Sequence, residues 1–394
     1  MISVTEATRI IQQVPAPLSI TKVTLAEAIG RVLAETISAD RNLPPFNRVT
    51  MDGIAISSNT FATQKSFTIE GIQPAGAPCI SLTDSRNCLE VMTGAMLPTE
   101  TDAVIRYEDV EIQNGIATIK IENIKAGMNV HAQGADAQAG DELLSAGQLI
   151  SPAEMALLAS VGKSEVLVYQ FPRTAVISSG DELVEVTVVP EPHQIRRSNV
   201  YALQAAMREC GWQAEAFHLN DMREDVLRNL KTLIQDYDVL ILSGGVSKGK
   251  FDFIPGALNE LGVNKLFHQV SQRPGKPFWF GTAGTKVVFA LPGNPVSTFL
   301  CFYRYIKPWI FAAMGVKGIE QTAVLTFSVE FKPSLTYFLQ VQSRYVNGRH
   351  EAVPVPGSGS GDFANLKEVS GFLELPDDRT NFNMGEAYPY IPFR

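Results

Sequence analysis

Residues 238–249 read DVLILSGGVSKG, and this stretch determines the class of fold. Its consecutive apolar residues are typical of a strand that is buried on both faces of a parallel sheet. Two glycines follow the strand and permit a sharp turn, and a helix is predicted to start near Asp252. The stretch therefore predicts one strand, one turn and one helix of an α/β domain.

The same pattern repeats on both sides of this stretch, between residues 173 and 315. A strand predicted over 174–178 precedes a helix that opens at Ser198-Asn199, and a strand over 214–219 precedes a helix over 223–235. Strands that alternate with helices of about 10 to 15 residues predict a parallel sheet covered on both faces. Ligands of such sheets bind at the carboxyl ends of the strands.

The rest of the sequence has a different pattern of apolar and polar residues. Capping boxes at Ser3 and Thr24 start two short helices, and Ser151-Pro152 starts another that stops at Gly162. Short alternating runs between turns predict strands both before and after the α/β part. We therefore predict an α/β multidomain protein with a discontinuous helical and linker domain (1–40 and 141–169), a β-rich insertion domain (41–140), an α/β domain (170–318) and a C-terminal β-domain (319–394).

Composition and charge exclude several classes of function. The 394 residues include 33 basic and 41 acidic side chains, so the net charge of -8 offers nucleic acid no general basic surface. Four cysteines without CxxC spacing indicate neither a zinc cluster nor a disulfide framework. The N-terminus lacks an apolar export signal, and the most apolar long segment, 299–316, is broken by charges and a proline. We expect a cytoplasmic protein with no nucleic-acid or membrane partner.

The glycine turn is also a candidate phosphate site. The N–H groups of Gly244 and Gly245 can crowd around an anion, while Ser243, Ser247 and the lysine at 248 add donors. An ordinary strand-to-helix turn explains the same residues, and both interpretations stay open at this point.

A second candidate site follows the strand at 174–178, where Asp181 and Glu182 stand side by side after Ser179-Gly180. Carboxylates at a strand end suit Mg²⁺ when a phosphate completes the coordination of the ion. Acidic residues also favour the N-terminus of a helix, so a helix start is the alternative.

Two further motifs combine rigid backbone with polar groups. Residues 273–277 read RPGKP and hold two cations between prolines, which limits the entropy lost when an oxyanion is bound. Residues 291–297 read LPGNPVS, in which Asn294 is the expected N-cap of a helix whose first residue is Pro295. A solvated turn and a plain helix start are the alternatives.

The β-rich region contributes PPFNRVTMDG at 44–53 and VMTG at 91–94. Local physics assigns no function to Asp52 or Thr93, because Met-Asp-Gly is a normal turn and Thr93 is a normal strand end.

In this order, the motifs resemble those of the molybdopterin molybdenumtransferase family, which carries out the last step of molybdenum cofactor synthesis and is related to the E domain of gephyrin. The resemblance covers essentially the whole chain. It implies that the α/β domain is of the molybdopterin-binding type and that the C-terminal domain is a β-barrel. It also implies a homodimer in which the insertion of one subunit faces the α/β site of the other.

The resemblance further implies the reaction and the residues that perform it. The substrates would be adenylated molybdopterin and molybdate, the products molybdenum cofactor and AMP, and the metal Mg²⁺. The implied catalytic residues are Asp52, Thr93, Asp181, Glu182, Asp221, Asp252 and Lys276, of which Glu182, Asp221 and Asp252 would hold the metal. The implied substrate-binding residues are Ser243, Gly244, Gly245, Ser247, Arg273, Pro277, Asn294 and Ser297, and molybdate is assigned to Lys276, Arg273 and Ser297.

Two other functions are compatible with parts of the sequence. One is a non-catalytic scaffold of the gephyrin type, which would not need Asp52, Glu182, Asp252 and Lys276 together. The other is an enzyme that acts on another nucleotide through the α/β domain, which leaves the β-rich insertion and the last domain unexplained. The sequence favours the molybdenum-inserting enzyme.

Overall fold

The computed structural model describes residues 1–246, 252–357 and 359–394. The chain forms two compact units, the first from 1–34, 146–151 and 165–394 and the second from 35–145 and 152–164. In the described residues, no helix combines the length and the apolar character that a membrane span requires.

The first unit begins with the predicted N-terminal helices. It starts with α1 (Val4–Gln13), β1 (Ser19–Thr24) and α2 (Leu25–Ala28). The Ser3 hydroxyl accepts a hydrogen bond from the Glu6 N–H at 3.1 Å, and the Thr24 N–H donates to the Glu27 carboxylate at 3.1 Å. Both helix starts are therefore stabilised by the side chains that the sequence predicts.

The second unit is rich in short strands. Its elements are β2 (Ile37–Ser38), β3 (Arg48–Val49), β4 (Gly53–Ile56), α3 (Ser58–Phe61), β5 (Ser66–Gln73), β6 (Asn87–Val91), β7 (Ala103–Arg106), β8 (Val110–Gln113), β9 (Ile116–Ile119), β10 (Val130–His131), β11 (Glu142–Leu144) and α4 (Pro152–Ser160). Six strands form one sheet in the order β7-β4-β6-β5-β9-β8. Apolar residues such as Ile54, Phe67 and Ile105 are fully buried on it, which confirms the predicted β-rich region.

The α/β part of the first unit contains most of the helices. Its elements are β12 (Glu165–Gln170), β13 (Thr174–Ser179), β14 (Leu183–Val184), β15 (Ile195–Arg196), α5 (Asn199–Glu209), β16 (Glu215–Leu219), α6 (Arg223–Asp236), β17 (Val239–Ser243), α7 (Ile254–Glu260), β18 (Asn264–His268), β19 (Gln272–Arg273), β20 (Trp279–Ala283), β21 (Lys286–Leu291), α8 (Pro295–Cys301) and α9 (Lys307–Ala313). A π-helical turn, Phe302–Ile306, joins the last two helices.

The central sheet has the order β16-β13-β17-β21-β20-β18. Its first four strands are parallel, as predicted, whereas β20 and β18 are antiparallel to their neighbours. The difference has a local cause, because only Gly284 and Thr285 separate β20 from β21 and so short a connection permits only a hairpin.

Both faces of this sheet are covered. Along β17, Ile241 belongs to an apolar cluster with residues of α1, α5, α8 and α9, while Leu240 and Leu242 belong to a second cluster with residues of α6 and α7 on the other face. Alternate residues of a strand point to opposite faces, so a continuous apolar run is what this position requires. With both faces buried, the strand ends are left for ligands.

The C-terminal part of the first unit is a closed barrel. It contains β22 (Gln321–Leu325), β23 (Val329–Glu330), β24 (Thr336–Val346), β25 (Arg349–Pro354), β26 (Gly371–Leu375), β27 (Asn381–Phe382) and β28 (Ala387–Pro392). The order β24-β25-β22-β28-β26 returns to β24 through a further pairing, which confirms the expected β-barrel. The short β19 also pairs with β24 and thereby connects the α/β part to the barrel.

Candidate active site

A cavity of about 500 Å³ lies at the carboxyl edge of the central sheet. Its walls come from the ends of β13, β16, β17 and β21 and from the start of α5. The predicted residues that line it are Glu182, Asp221, Ser243, Gly244, Gly245, Asp252 and Asn294. Ser247 lies outside the described residues. The carboxyl ends of the parallel strands thus converge as their topology predicts.

The glycine turn after β17 is sterically constrained. Gly244 and Gly245 have φ of +101° and +69°, a region that side chains with a Cβ rarely adopt. A Cβ on Gly244 would lie 2.8 Å from the Ser179 carbonyl oxygen. The Gly244 N–H donates a hydrogen bond to the Leu291 carbonyl at 3.1 Å. The glycines therefore let three strand ends approach one another.

The carboxylates after β13 and β16 are linked. The Ser179 hydroxyl donates to Asp221 at 3.2 Å, and the Asp221 N–H donates to Asp181 at 3.0 Å. Asp181 thus fixes the backbone of Asp221 and is not among the residues that line the cavity. The short strand β14 follows Glu182, so the alternative of a helix start at these acids is wrong.

Sequence reasoning missed Asn199 as a site residue. Its Nδ2 donates to the Ser243 hydroxyl at 2.8 Å and to the Gly293 carbonyl at 2.7 Å, and its Oδ1 is buried without a hydrogen-bond donor from the described residues. Asn199 therefore ties the ends of β17 and β21 together at the cavity wall. The signal that could have identified it is an amide side chain at the start of a helix that follows a strand.

The fit of a metal depends on the ligands that a substrate supplies. Among residues 1–246, 252–357 and 359–394, no three His, Cys, Asp or Glu side chains are grouped closely enough to hold a metal ion. Glu182, Asp221 and Asp252 nevertheless line the same cavity. Mg²⁺ is commonly bound by one or two carboxylates together with substrate phosphates and water, and this donor set fits that pattern.

A second cavity, of about 840 Å³, lies between the loop at 273–274 and the barrel. Arg273 lines it, and its guanidinium lies 5.9 Å from the centre of the Phe331 ring. The two cavities share Gly361, and beside them Asn294 Nδ2 donates to the Ser360 hydroxyl at 2.7 Å.

The remaining predicted residues of this region line neither cavity. Lys276 is exposed, Pro277 is partly buried, and Ser297 is 2% exposed within α8. The structure thus divides the predicted binding residues among two neighbouring cavities, the loop beside them and the first turn of α8.

In the second unit, the structure brings Asp52 and Thr93 together. Gly53 pairs with Val91, so Asp52 before β4 lies beside Thr93 after β6. The Thr93 N–H and hydroxyl donate to the same Asp52 oxygen at 2.6 and 2.7 Å. These two hydrogen bonds lower the pKa of Asp52 below its ordinary value because they favour the carboxylate.

Replacement of Thr93 by valine should raise the pKa of Asp52 part of the way back, because the N–H bond remains while the hydroxyl bond is lost. At pH values above the ordinary aspartate pKa of about 3.9, the two bonds stabilise the turn. That contribution is lost as the pH falls through the lower pKa that Asp52 has in the folded state. Carboxyl ¹³C titration by NMR measures this shift. Thr118→Val, at an exposed position of strand β9, is the control that should leave the pKa of Asp52 unchanged.

The fold and the first cavity define the class: a multidomain α/β protein with a ligand site at the carboxyl edge of its central sheet. Residues 2–162 match the MoeA N-terminal region (domain I and II), residues 175–312 a probable molybdopterin binding domain, and residues 322–393 the MoeA C-terminal region (domain IV). The chain belongs to the MoeA family.

Individual relatives are similar to this chain over nearly its whole length. A molybdopterin molybdenumtransferase of Synechocystis sp. is 41% identical, and the match covers 99% of this chain and 99% of that protein. One of Haemophilus influenzae is 32% identical, and the match covers 98% of this chain and 96% of that protein. A solved molybdopterin biosynthesis MoeA protein of Pyrococcus horikoshii is 30% identical, has a TM-score of 0.85 and covers 100% of this chain and 99% of its own.

Proposed function

We propose that this chain is a transferase of molybdenum cofactor biosynthesis that inserts molybdenum from molybdate into adenylated molybdopterin and releases AMP. The observation that carries the proposal is the convergence of a glycine turn with Glu182, Asp221 and Asp252 on one cavity. A volume of about 500 Å³ suits a ligand of nucleotide size. The names of the relatives support molybdenum transfer as the reaction.

The first cavity would bind the nucleotide end of the substrate. The N–H of Gly245 would hold a phosphate oxygen, whereas the Gly244 N–H already donates to the Leu291 carbonyl and Gly244 would serve by letting the backbone approach the anion closely. The Ser243 hydroxyl is within hydrogen-bond distance of both Asn199 and Thr298, so it would act by shaping this wall.

Glu182, Asp221 and Asp252 would hold Mg²⁺ against the phosphates. The chemistry that a bound Mg²⁺ would supply there is positive charge, which would offset the charge of the pyrophosphate from which AMP is released. The contribution of the chain is to orient the reacting groups and to keep Asp221 in place through Ser179 and Asp181.

Molybdate would bind next to the nucleotide, at the side where the second cavity begins. Arg273 supplies a planar cation that suits an oxyanion, and Lys276 on the same loop supplies a second charge. Asn294 and Ser360 lie at the border of the two cavities. Pro277 and Ser297 would contribute by holding the loop and the first turn of α8 in shape.

The proposal includes a cytoplasmic homodimer in which Asp52 and Thr93 of a second copy complete the site. Subunits carrying Asp52→Ala and subunits carrying Asp252→Ala should each be inactive alone. When mixed, they should recover up to about half the activity per heterodimer, because one site then receives both intact residues. No recovery in mixtures shown to exchange subunits contradicts this part of the proposal.

The reaction is tested by incubating the purified protein with adenylated molybdopterin, molybdate and Mg²⁺. We expect AMP release that requires both molybdate and the metal. Asp252→Ala should lower turnover strongly but should change the free energy of unfolding only slightly. Asp236→Ala, at the end of α6, is the control that should leave turnover unchanged. AMP release that is absent, or independent of molybdate, would reject the proposed function.

A further inference from the structure

A buried amide lies under the loop of residues 273–277, which we term the cation loop. Gln272 precedes this loop and is 0% exposed. Its Nε2 donates to the Pro274 carbonyl at 3.1 Å and to the Gly275 carbonyl at 3.3 Å. One side chain therefore binds two successive carbonyls of the loop that carries Arg273 and Lys276.

Tyr305 fixes the orientation of this amide. Its hydroxyl, on the π-helical turn, donates to Gln272 Oε1. Burial raises the pKa of Tyr305 well above its ordinary value, so the hydroxyl stays protonated and remains a donor. The reverse orientation of the amide would place its oxygen against two carbonyl oxygens, which cannot donate hydrogen bonds.

The cation loop packs directly on this amide. Gly275 has φ of +95°, and a Cβ there would lie 2.5 Å from Gln272 Nε2 and 3.2 Å from Cys301 Sγ. On the other side, Gln272 is in register with Thr336 of the barrel strand β24. Gln272 is thus held by the barrel, by the π-helical turn and by the loop itself.

We propose that Gln272 is a positioning residue for oxyanion binding, because it holds the cation loop in the conformation that presents Arg273 and Lys276. The inference rests on the proposed function, which assigns molybdate to these two cations. A loop that is already ordered loses less entropy when it binds its ligand, so loss of the amide should weaken molybdate binding selectively. Gln272 itself lines neither cavity and would not touch the ligand.

A second buried glutamine provides a matched control. Gln73, in the second unit, is also 0% exposed, and its Nε2 donates to the carbonyls of Pro74, Ala77 and Pro78 at 3.3, 3.4 and 3.2 Å. Gln272→Met and Gln73→Met remove the same group from the same kind of contact. If the loss of a buried amide weakened molybdate binding only by destabilising the fold, Gln272→Met and Gln73→Met should lose molybdate affinity to the same extent.

The experiment measures molybdate binding to the full chain by equilibrium dialysis. We expect Gln272→Met to raise the molybdate Kd about tenfold, and Tyr305→Phe, which keeps both loop bonds, to raise it about threefold. Gln73→Met should leave it within about twofold. Amide hydrogen exchange at Gly275, Lys276 and Phe278 should become faster in Gln272→Met. In turnover, the KM for molybdate should rise while the KM for adenylated molybdopterin does not.

The outcomes separate this inference from the proposed function. Unchanged molybdate affinity in Gln272→Met and Tyr305→Phe overturns the positioning role, even if the wild-type chain releases AMP. Equal losses in Gln272→Met and Gln73→Met overturn it as well. Failure of the wild-type chain to bind molybdate also overturns it, while AMP release decides the proposed function independently. If Gln272→Met does not fold, Tyr305→Phe carries the test through the same affinity measurement.

Discussion

Replacement of Arg304 by methionine should destabilise the first unit by about 2–4 kcal/mol, between the cost of breaking an exposed ion pair and that of breaking a fully buried one. Arg304 binds Glu374 through two nitrogens at 2.7 and 3.1 Å, and the two side chains are 18% and 21% exposed. Its third nitrogen donates to Thr8 of α1 at 3.2 Å. The substitution leaves the half-buried Glu374 without its cation, and denaturant unfolding measures the loss.

The controls separate burial from charge. Arg344→Met removes an arginine that also pairs with a glutamate, Glu351, at 3.1 Å, but its side chain is 60% exposed. That variant should lose only about 0–1 kcal/mol. The double variant Arg304→Met with Glu374→Leu should recover most of the stability, because no charge remains buried. A loss in Arg304→Met no larger than in Arg344→Met would refute the argument.

Replacement of Glu182 by glutamine should lower kcat for AMP release about 10²- to 10³-fold, the scale of losing one electrostatic group at a reacting centre. Glu182 lines the first cavity, and its exposed side chain contributes little to the core. Its carbonyl accepts the Ile195 N–H at 2.8 Å, a backbone contact that the substitution preserves. Thermal unfolding should therefore remain close to that of the wild type.

Glu191→Gln is the control for this prediction. Glu191 lies in the nearby connection between β14 and β15, and Glu191→Gln removes the same charge, but Glu191 is exposed and does not line the cavity. Its kcat should stay within about twofold of the wild type. If Glu182→Gln keeps a third or more of the wild-type kcat, Glu182 has no catalytic role.

The sequence predicts the features of the fold that local patterns determine. The apolar run at 239–242 specifies a strand covered on both faces, and the glycines after it specify the turn at the cavity. Asn294 is the N-cap of α8, with Pro295 at its first position, as the motif indicates. The antiparallel strand β20 was missed, although the two-residue connection to β21 carries the necessary signal.

The parts of the site that could not be predicted depend on distant partners. Asn199 contacts Gly293, 94 residues away, and Arg304 contacts Glu374, 70 residues away. Neither residue belongs to a local motif. The division of the binding residues into two cavities depends on the pairing of β19 with β24, which no periodicity reveals. Asp52 and Thr93 became candidates only through the family resemblance, because each occupies an ordinary turn or strand end.

The closed barrel limits how other molecules can attach to this part of the chain. Each of its five main strands has a hydrogen-bonded neighbour on both sides, and β19 pairs with the first two residues of β24, Thr336 and Tyr337. Where these strands are paired on both sides, an extended peptide finds no row of open backbone donors and acceptors, which disfavours edge-to-edge polymerisation. A molecule that binds these paired stretches has to recognise side chains and loops.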